Sequence, residues 1–176
     1  MHFRISVKRE PAGATSPAGR VSNRLHDFYQ VGDMLELAPP FGEFYLDETH
    51  DGPVVLISGG VGITPMMAML DRLVASAPGR KVQFVHASRN AGVFAFGTHL
   101  LKVAGRHPQV KLHLFHDEGA VTAPVQSGRV DLRALAGEVL ASGADYYLCG
   151  PLGFLEAQIA TLHELGVESA RIHAEV

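Results

Sequence analysis

The chain has 176 residues, of which 47% are hydrophobic, and its formal net charge is −3. This length can bury one good core, or one domain and part of another. The slightly acidic balance and the absence of a basic run argue against nucleic acid and anionic membrane surfaces as partners. No apolar run approaches the roughly 20 residues of a membrane span and no signal-peptide segment is found, so we expect a cytoplasmic protein with small-molecule partners.

Cysteine and histidine usage limits the chemistry further. The single cysteine, Cys149, excludes an intramolecular disulfide and a cysteine-ligated iron–sulfur cluster within this chain. His113 and His116 should face opposite sides of a strand, and no H-E-x-x-H or Cys/His cluster accompanies them, so we expect no metal site. His86 and His173, near strand ends, are expected to be hydrogen-bonded core or crevice residues.

Residues 1–50 have the pattern of an incomplete antiparallel β-barrel. Strands are predicted at 3–9, 33–37 and 43–46, with a short helix within 19–28. Three strands and one helix cannot bury their own faces, so we expect the other strands to be missing or supplied elsewhere. The uncovered strand edge at 3–9 suggests, as a hypothesis, a homodimer through this edge.

Residues 51–176 alternate predicted strands with predicted helices. Right-handed crossovers between such strands build a doubly wound parallel sheet, which binds ligands beyond the carboxyl ends of its strands. The fold class predicted here is therefore α/β, with a five-stranded parallel sheet. The strands are expected at 54–58, 81–87, 110–116, 145–149 and 170–175, and the helices near 65–76, 94–105, 130–141 and 153–165.

A glycine-rich turn, GGVGITP at 59–65, follows the first strand of this region. Its glycines let a ligand approach the backbone, while Thr64 is a plausible helix N-cap and Pro65 a good first helical residue. Such a turn is an anion site suited to the pyrophosphate of a dinucleotide. The alternative is a tight turn without a ligand. Pro65 stands where the Rossmann motif has its last glycine, which indicates a different dinucleotide-binding family.

Two other segments should reach the same edge of the sheet, one after the second strand and one after the fourth. In the first, Ser88 and Arg89 could meet a 2′-phosphate and favour NADPH, whereas an acidic residue there would favour NADH. A solvated loop arginine is an equally good reading of Arg89. The second segment is Cys149-Gly150-Pro151, although a cysteine at a strand end is often only a small buried hydrophobe.

These motifs together carry a family resemblance. GGVGITPM at 59–66, CGP at 149–151 followed by Leu-Gly-Phe, and GRVSNRLH at 19–26 resemble the ferredoxin–NADP⁺ reductase superfamily. More narrowly, VKRE at 7–10, VSNRLH at 21–26, GVGITPMMAMLD at 60–71 and YLCGPLGF at 147–154 are similar to the reductase portion of bacterial flavohemoglobin, a nitric oxide dioxygenase. The similarity runs through essentially the whole chain.

The resemblance implies a partial FAD-binding barrel at 1–50 and an NAD(P)H-binding domain at 51–176. Hydride would pass from nicotinamide to FAD, and electrons would continue to a haem in a globin that is not in this chain. The resemblance places the nicotinamide dinucleotide on Gly60, Val61, Gly62, Ile63, Thr64 and Pro65. It places Cys149, Gly150 and Pro151 beside the nicotinamide, Gly19 and Ser22 near the flavin pyrophosphate, and Glu175 and Val176 beside the isoalloxazine, with Cys149 and Glu175 as the catalytic candidates.

The chain also departs from the family pattern. The family's Arg-x-Tyr-Ser or Thr flavin strand would precede Phe3 and its aromatic residue would follow Glu175, so we expect a truncated sequence in which retention of FAD is an open question. One alternative is a non-enzymatic NAD(P)-binding fragment that cannot retain flavin. Another is the reductase component of an iron–sulfur oxygenase whose cluster lies on another chain. No Ser/His/Asp order with a nucleophile elbow supports a hydrolase.

Overall fold

The structure is a computed structural model that describes residues 4–175, and its chain divides into two compact units between Glu43 and Phe44. In the described part of the first unit, helix α1 (Arg20–Phe28) is the one regular element. This helix confirms the prediction at 19–28. Asn23 fastens it to the preceding loop, because its Nδ2 donates to the carbonyl oxygens of Glu10 (2.8 Å) and Gly19 (2.7 Å).

The predicted barrel strands are not found in the described residues. Residues 4–9, 33–37 and 43–46 have irregular backbone, and Phe3 lies outside the described residues. A strand is stable only when neighbouring strands pair with it and its apolar face is covered. Met34 and Phe41 are instead more than nine-tenths exposed. The prediction of three strands is therefore wrong here, and the strand edge on which the homodimer hypothesis rested is absent from residues 4–9.

The second unit is built on a six-stranded, wholly parallel sheet, one strand more than predicted. The strands are β1 (Val54–Gly59), β2 (Val82–Ser88), β3 (Val110–His116), β4 (Val125–Ser127), β5 (Asp145–Cys149) and β6 (Ile172–Glu175). The helices are α2 (Ile63–Ser76), α3 (Gly97–Arg106), α4 (Ala136–Val139) and α5 (Leu152–Glu164). Within the described residues no helix is both long and apolar enough to span a membrane.

The strand order is β4-β3-β2-β1-β5-β6. The chain moves outward from β1 through β2 and β3 to β4, and then crosses to the other side of β1 to form β5 and β6. This reversal places a topological switch point between β1 and β5, where ligands bind in doubly wound sheets. The doubly wound α/β class predicted from the sequence is confirmed.

Strand β1 lies at the centre of the unit, and all six of its residues are buried. Alternate residues enter different cores: Leu56 packs with Met66 and Leu70 of α2, whereas Ile57 packs with Leu155 of α5. This explains why the sequence of β1 is uniformly apolar, since a parallel strand covered on both faces shows no alternation.

Three elements differ from their predictions for local reasons. β4 was missed because it has only three residues, two of them polar. The helix predicted at 130–141 is reduced to α4, because Asp131 Oδ1 accepts the Arg133 N–H (2.9 Å) and favours a turn over a helix. α3 begins at Gly97 rather than at 94, since Phe96 has a left-handed backbone with φ of 61°.

The segment 44–52 is fixed across β5 and α2, and we call it the strap. Its Phe44 and Leu46 pack against the core on the α2 side of the sheet. Its Asp47 N–H bonds the Tyr147 hydroxyl (2.9 Å), and Arg80 Nε donates to the Gly52 carbonyl (2.6 Å). The strap thus packs on the same face of the sheet as α2.

The buried carboxylate of Asp145, at the start of β5, lies close to two arginine and two histidine side chains. Its side chain is 1% exposed; Arg171 Nη1 lies 3.0 Å and Arg80 Nη2 3.7 Å from its oxygens. His50 of the strap and His173 of β6 lie 3.6 and 3.8 Å away. Buried charges of this kind are tolerated only when they are paired.

We expect Asp145→Asn to lower the free energy of unfolding by about 3 kcal/mol, because it leaves the buried Arg80 guanidinium without its anion. Urea denaturation monitored by circular dichroism measures the change. The matched control is Glu164→Gln, which breaks the exposed Arg133–Glu164 pair and should cost about 0.5 kcal/mol. Equal effects of the two substitutions would contradict a special role for the buried carboxylate.

Candidate functional site

The candidate site lies at the carboxyl ends of β1 and β5, on the turns that follow these strands. After Gly59 the chain forms a short 3₁₀ turn, Gly60–Gly62, that leads directly into α2. Gly60 has a φ of 55°, and a Cβ built on it would meet nothing within 4 Å. The backbone at Gly60 therefore faces open space, as a close approach by a phosphate requires.

The two turns touch each other through their backbones. A Cβ on Gly62 would lie 2.1 Å from the Cys149 carbonyl oxygen and 2.8 Å from the Gly150 nitrogen. A Cβ on Gly150 would in turn lie 3.1 Å from the Gly59 nitrogen. Only glycine allows this contact, so the structure brings together the GGVGITP and CGP segments that the sequence placed at one edge.

Helix α2 begins earlier than the sequence predicted. Gly62 is its N-cap and Ile63 its first residue, so Thr64 and Pro65 are the second and third helical residues rather than the cap and the first. Gly62 already has helical backbone angles, which extends the helix into the glycine turn. The missing N–H of Pro65 costs nothing there, since first-turn N–H groups have no partner within the helix.

The first turn of α2 has the properties of an anion site. It contains no acidic residue, and the N-cap makes no side-chain hydrogen bond to it. The Ile63 N–H already bonds the Gly60 and Val61 carbonyls and Pro65 has no N–H, so the positive end of the helix dipole, over a helix of 14 residues, is the main feature that favours a phosphate at this position. The open space at Gly60 fits the pyrophosphate of a dinucleotide.

Cys149 and Glu175 are neighbours in register on β5 and β6. Burial raises the pKa of the Cys149 thiol, and the Glu175 carboxylate raises it further. Both effects disfavour the thiolate, which is the reactive form of cysteine. The sulfur is therefore a neutral group at the wall of the site. Val176, the other C-terminal candidate, lies outside the described residues.

The third predicted segment follows β2. Ser88 ends the strand and is buried, with no hydrogen-bond partner for its Oγ within residues 4–175, whereas Arg89 is exposed. The structure adds two carboxylates that sequence reasoning missed: the Asp117 and Glu118 N–H groups bond the carbonyls of Ser88 (3.1 Å) and Arg89 (2.8 Å). The sheet register pairs Ser88 with His116, and this pairing is what makes Asp117 and Glu118 neighbours of Ser88 and Arg89.

Beneath these turns lies a buried polar pair, Ser58 and His86. Ser58 Oγ lies 2.9 Å from His86 Nδ1, and the Phe94 ring stacks on the imidazole with centroids 5.2 Å apart. Burial, the largest cause, and the nearby His116 lower the pKa of His86 to about 4, while the hydrogen bond with Ser58 acts in the opposite direction and raises it. His86 is thus the hydrogen-bonded core histidine that the sequence predicted, and it is neutral at physiological pH.

The flavin candidates Gly19 and Ser22 lie in the first unit, at the start of α1. Gly19 is the N-cap of α1, and Ser22 Oγ accepts the Glu10 N–H (3.3 Å). No acidic residue occupies the first turn of this nine-residue helix. A helix N-terminus without an acidic residue favours a phosphate; the flavin role of Gly19 and Ser22 stays a prediction.

Within residues 4–175, no group of three or more histidine, cysteine, aspartate or glutamate side chains is placed to hold a metal ion. His113 and His116 lie apart on β3. His113 Nε2 is 2.8 Å from Gln83 Oε1, while the Phe94 ring lies edge-on to His116.

A doubly wound sheet with a glycine turn and a helix N-terminus at its switch point defines the dinucleotide-binding class of α/β proteins. Comparison with known proteins agrees with this class. The family described as "Oxidoreductase NAD-binding domain" matches residues 56–159. The chain belongs to this family and, within it, to the flavohem-like FAD/NAD-binding domains, which confirms the resemblance inferred from the motifs.

The curated relatives are longer than this chain. It is 51% identical to a flavohemoprotein of Chromobacterium violaceum over 180 residues, which cover 99% of this chain and 44% of the relative. A flavohemoprotein of Bordetella pertussis is 49% identical with the same coverage. The chain spans less than half the length of these relatives.

A solved structure supports the fold over nearly the full chain. The flavohem-like FAD/NAD-binding domain of nitric oxide dioxygenase from Vibrio cholerae is 35% identical, with a TM-score of 0.86 over 97% of this chain and 69% of that one. The cytochrome b5 reductase domain of Ulva prolifera nitrate reductase, at 24% identity, shares the fold with a TM-score of 0.83.

We expect Gly62→Ala to weaken dinucleotide binding at least about tenfold, because the new methyl group would push the Cys149 turn away and deform the anion site. Fluorescence titration with NADH measures the affinity. Gly105→Ala in α3 is the control, since a Cβ there meets nothing within 4 Å; it should leave binding unchanged. Unchanged binding by a folded Gly62→Ala variant would contradict this account of the contact.

Stability should depend on pH through His86. Its pKa falls from 6.5 in the unfolded chain to about 4 in the folded one, so the unfolded state binds the proton more readily. Stability is therefore full above pH 6.5 and falls as the pH drops from 6.5 to about 4, by about 3 kcal/mol. Urea unfolding of the wild type and of His86→Gln across this range tests it, since the variant should lose that share of the pH dependence.

Proposed function

We propose that this chain is the nicotinamide-binding reductase part of a flavohemoprotein-type enzyme, working in the cytoplasm. When bound, reduced nicotinamide supplies a hydride and FAD accepts it, releasing electrons to a haem of the nitric oxide dioxygenase type on a globin. The backbone contact between Gly62 and Cys149 carries the proposal, because it joins an anion-binding turn to the CGP turn at the switch point. The flavohemoprotein relatives support the haem acceptor.

The chain's own residues would bind and orient the cofactor. The backbone from Gly60 to Pro65, with the positive N-terminal end of α2, would hold the pyrophosphate and ribose. The Gly150 and Pro151 backbone would form the wall beside the nicotinamide. Cys149, whose raised pKa keeps its thiol neutral, would fix the ring orientation without forming a covalent bond, and Glu175 would lie beside it.

The carboxylates near Arg89 favour NADH over NADPH. Arg89 could pair with a 2′-phosphate, but Asp117 and Glu118 lie next to it and would repel that dianion. An acidic side chain can instead accept hydrogen bonds from the ribose hydroxyls of NADH.

A second candidate function is nicotinamide binding without retained flavin. It is favoured by the irregular backbone of residues 29–43 and by the exposure of Val31, Met34 and Phe41 there. In the first candidate, Gly19 and Ser22 would hold the flavin pyrophosphate at α1. In the second, the first turn of α1 would not suffice to keep FAD bound.

The experiment that separates these functions is a titration of the purified chain with FAD, followed by stopped-flow mixing with NADH. Stable FAD binding and bleaching of the flavin absorbance would establish the reductase. NADH binding without FAD retention would favour the second candidate. Failure to bind NADH would overturn both.

The nucleotide preference makes a separate prediction. The wild type should bind NADH at least about tenfold more tightly than NADPH, and the double substitution Asp117→Asn with Glu118→Gln should reduce that ratio by removing the repulsion. Titration with both nucleotides measures it. The control is Glu156→Gln on α5, which should leave the ratio unchanged. A wild-type preference for NADPH would contradict the assignment.

A further inference from the structure

A cavity of about 680 Å³ lies between the start of α3 and the loop at 120–125, apart from the candidate site described above. We call it the α3 cavity. It shares no lining residue with the glycine turn, with the CGP turn or with Ser88 and Arg89. Its volume falls in the range of small-molecule sites, and its walls are mainly apolar, with Phe94, Phe96 and Leu101 on one side and Val121 and Val125 on the other.

Of the polar residues that line this cavity, His116, the last residue of β3, is the buried one. It is only 4% exposed, yet neither of its ring nitrogens has a hydrogen-bond partner among the described residues. The Phe94 ring packs edge-on against it, with centroids 5.5 Å apart, and offers no acceptor. An unpaired buried imidazole is costly, so a ligand that accepts a hydrogen bond from it would be stabilised.

The first turn of α3 lines the same cavity through Gly97, Thr98 and His99. The backbone bond from the Leu100 N–H to the Phe96 carbonyl (2.9 Å) begins the helix, so the three preceding N–H groups have no acceptor within it. No side chain caps this ten-residue helix and no acidic residue lies in its first turn. These N–H groups and the helix dipole favour a negative charge.

The residues that line the cavity limit the negative charge that a ligand can carry. Among its lining residues there is no lysine or arginine, and the His99 ring is already paired with Asp71 (2.9 Å). A phosphate with two charges would need a fixed cation that these walls do not provide. A single carboxylate needs only the His116 N–H and the α3 N–H groups.

We propose that the α3 cavity binds a small organic monoanion with an apolar body, such as an aromatic carboxylate. Its carboxylate accepts hydrogen bonds from the His116 ring and from the first turn of α3. Its ring packs against Phe94, Phe96 and Leu101. This site does not depend on the proposed nicotinamide site, and nothing in its recognition requires a nucleotide.

The test uses benzoate as the probe and benzyl alcohol as its neutral analogue, with binding measured by saturation-transfer NMR and calorimetry on the full chain. Benzoate should bind at least about tenfold more tightly than benzyl alcohol, because only the anion uses the helix terminus. His116→Leu should abolish this preference. Leu101→Trp, at a half-exposed rim position, should block both probes without touching the core.

His113→Gln is the matched control, because His113 is a buried histidine of the same strand that lies outside the cavity and bonds Gln83 instead. It should leave benzoate binding unchanged. Equal affinity for the two probes, or unchanged benzoate binding in folded His116→Leu and Leu101→Trp variants, would overturn the proposal. Displacement of benzoate by AMP would also overturn it, by assigning the cavity to the nucleotide. NADH binding is measured in a separate titration, so a chain that does not bind NADH could still bind benzoate in the α3 cavity.

Discussion

The close approach of Gly62 to the Cys149 carbonyl is the constraint on which the site depends. It brings the end of β1 and the end of β5 together at the switch point, and it sets where α2 begins. Because the helix starts inside the glycine turn, its positive N-terminal end lies directly beside the CGP backbone. The anion site and the wall expected to hold the nicotinamide are therefore one rigid assembly rather than two loops that must find each other.

Two polar side chains close to the turns, those of His86 and Cys149, are uncharged. His86 is neutral because burial depresses its pKa, and Cys149 is neutral because burial and Glu175 raise the pKa of its thiol. Neither side chain therefore competes with the helix terminus and the backbone dipoles for an anion. A separate group of charged side chains lies at the other end of the strands, around Asp145, where it holds the strap and the first residues of β5.

Much of the second unit could be predicted from the sequence because its signals are local. A short apolar run bounded by turn residues, such as Val54–Ile57, is typical of a strand buried on both faces, and glycines followed by Pro65 mark a turn into a helix. The short β4 and the reduced α4 were not predictable in this way, since a three-residue strand has no periodicity and Asp131 diverts an otherwise helical pattern. The nearness of Asp117 to Arg89 depends on register between strands, which no local pattern contains. The prediction of barrel strands was wrong although its signal was local. The alternation at 4–9 is typical of a strand, but a strand forms only when neighbouring strands pair with it.

The division between Glu43 and Phe44 has a consequence for how this architecture can be reused. The second unit carries both of its hydrophobic clusters, its whole sheet and its own strap, so everything that shapes the glycine and CGP turns lies downstream of one peptide bond. Such a segment is transferable: joined at Phe44 to a different module, it would bring its glycine and CGP turns along intact. Recombination of this unit then requires a single crossover point, with no redesign of the sheet.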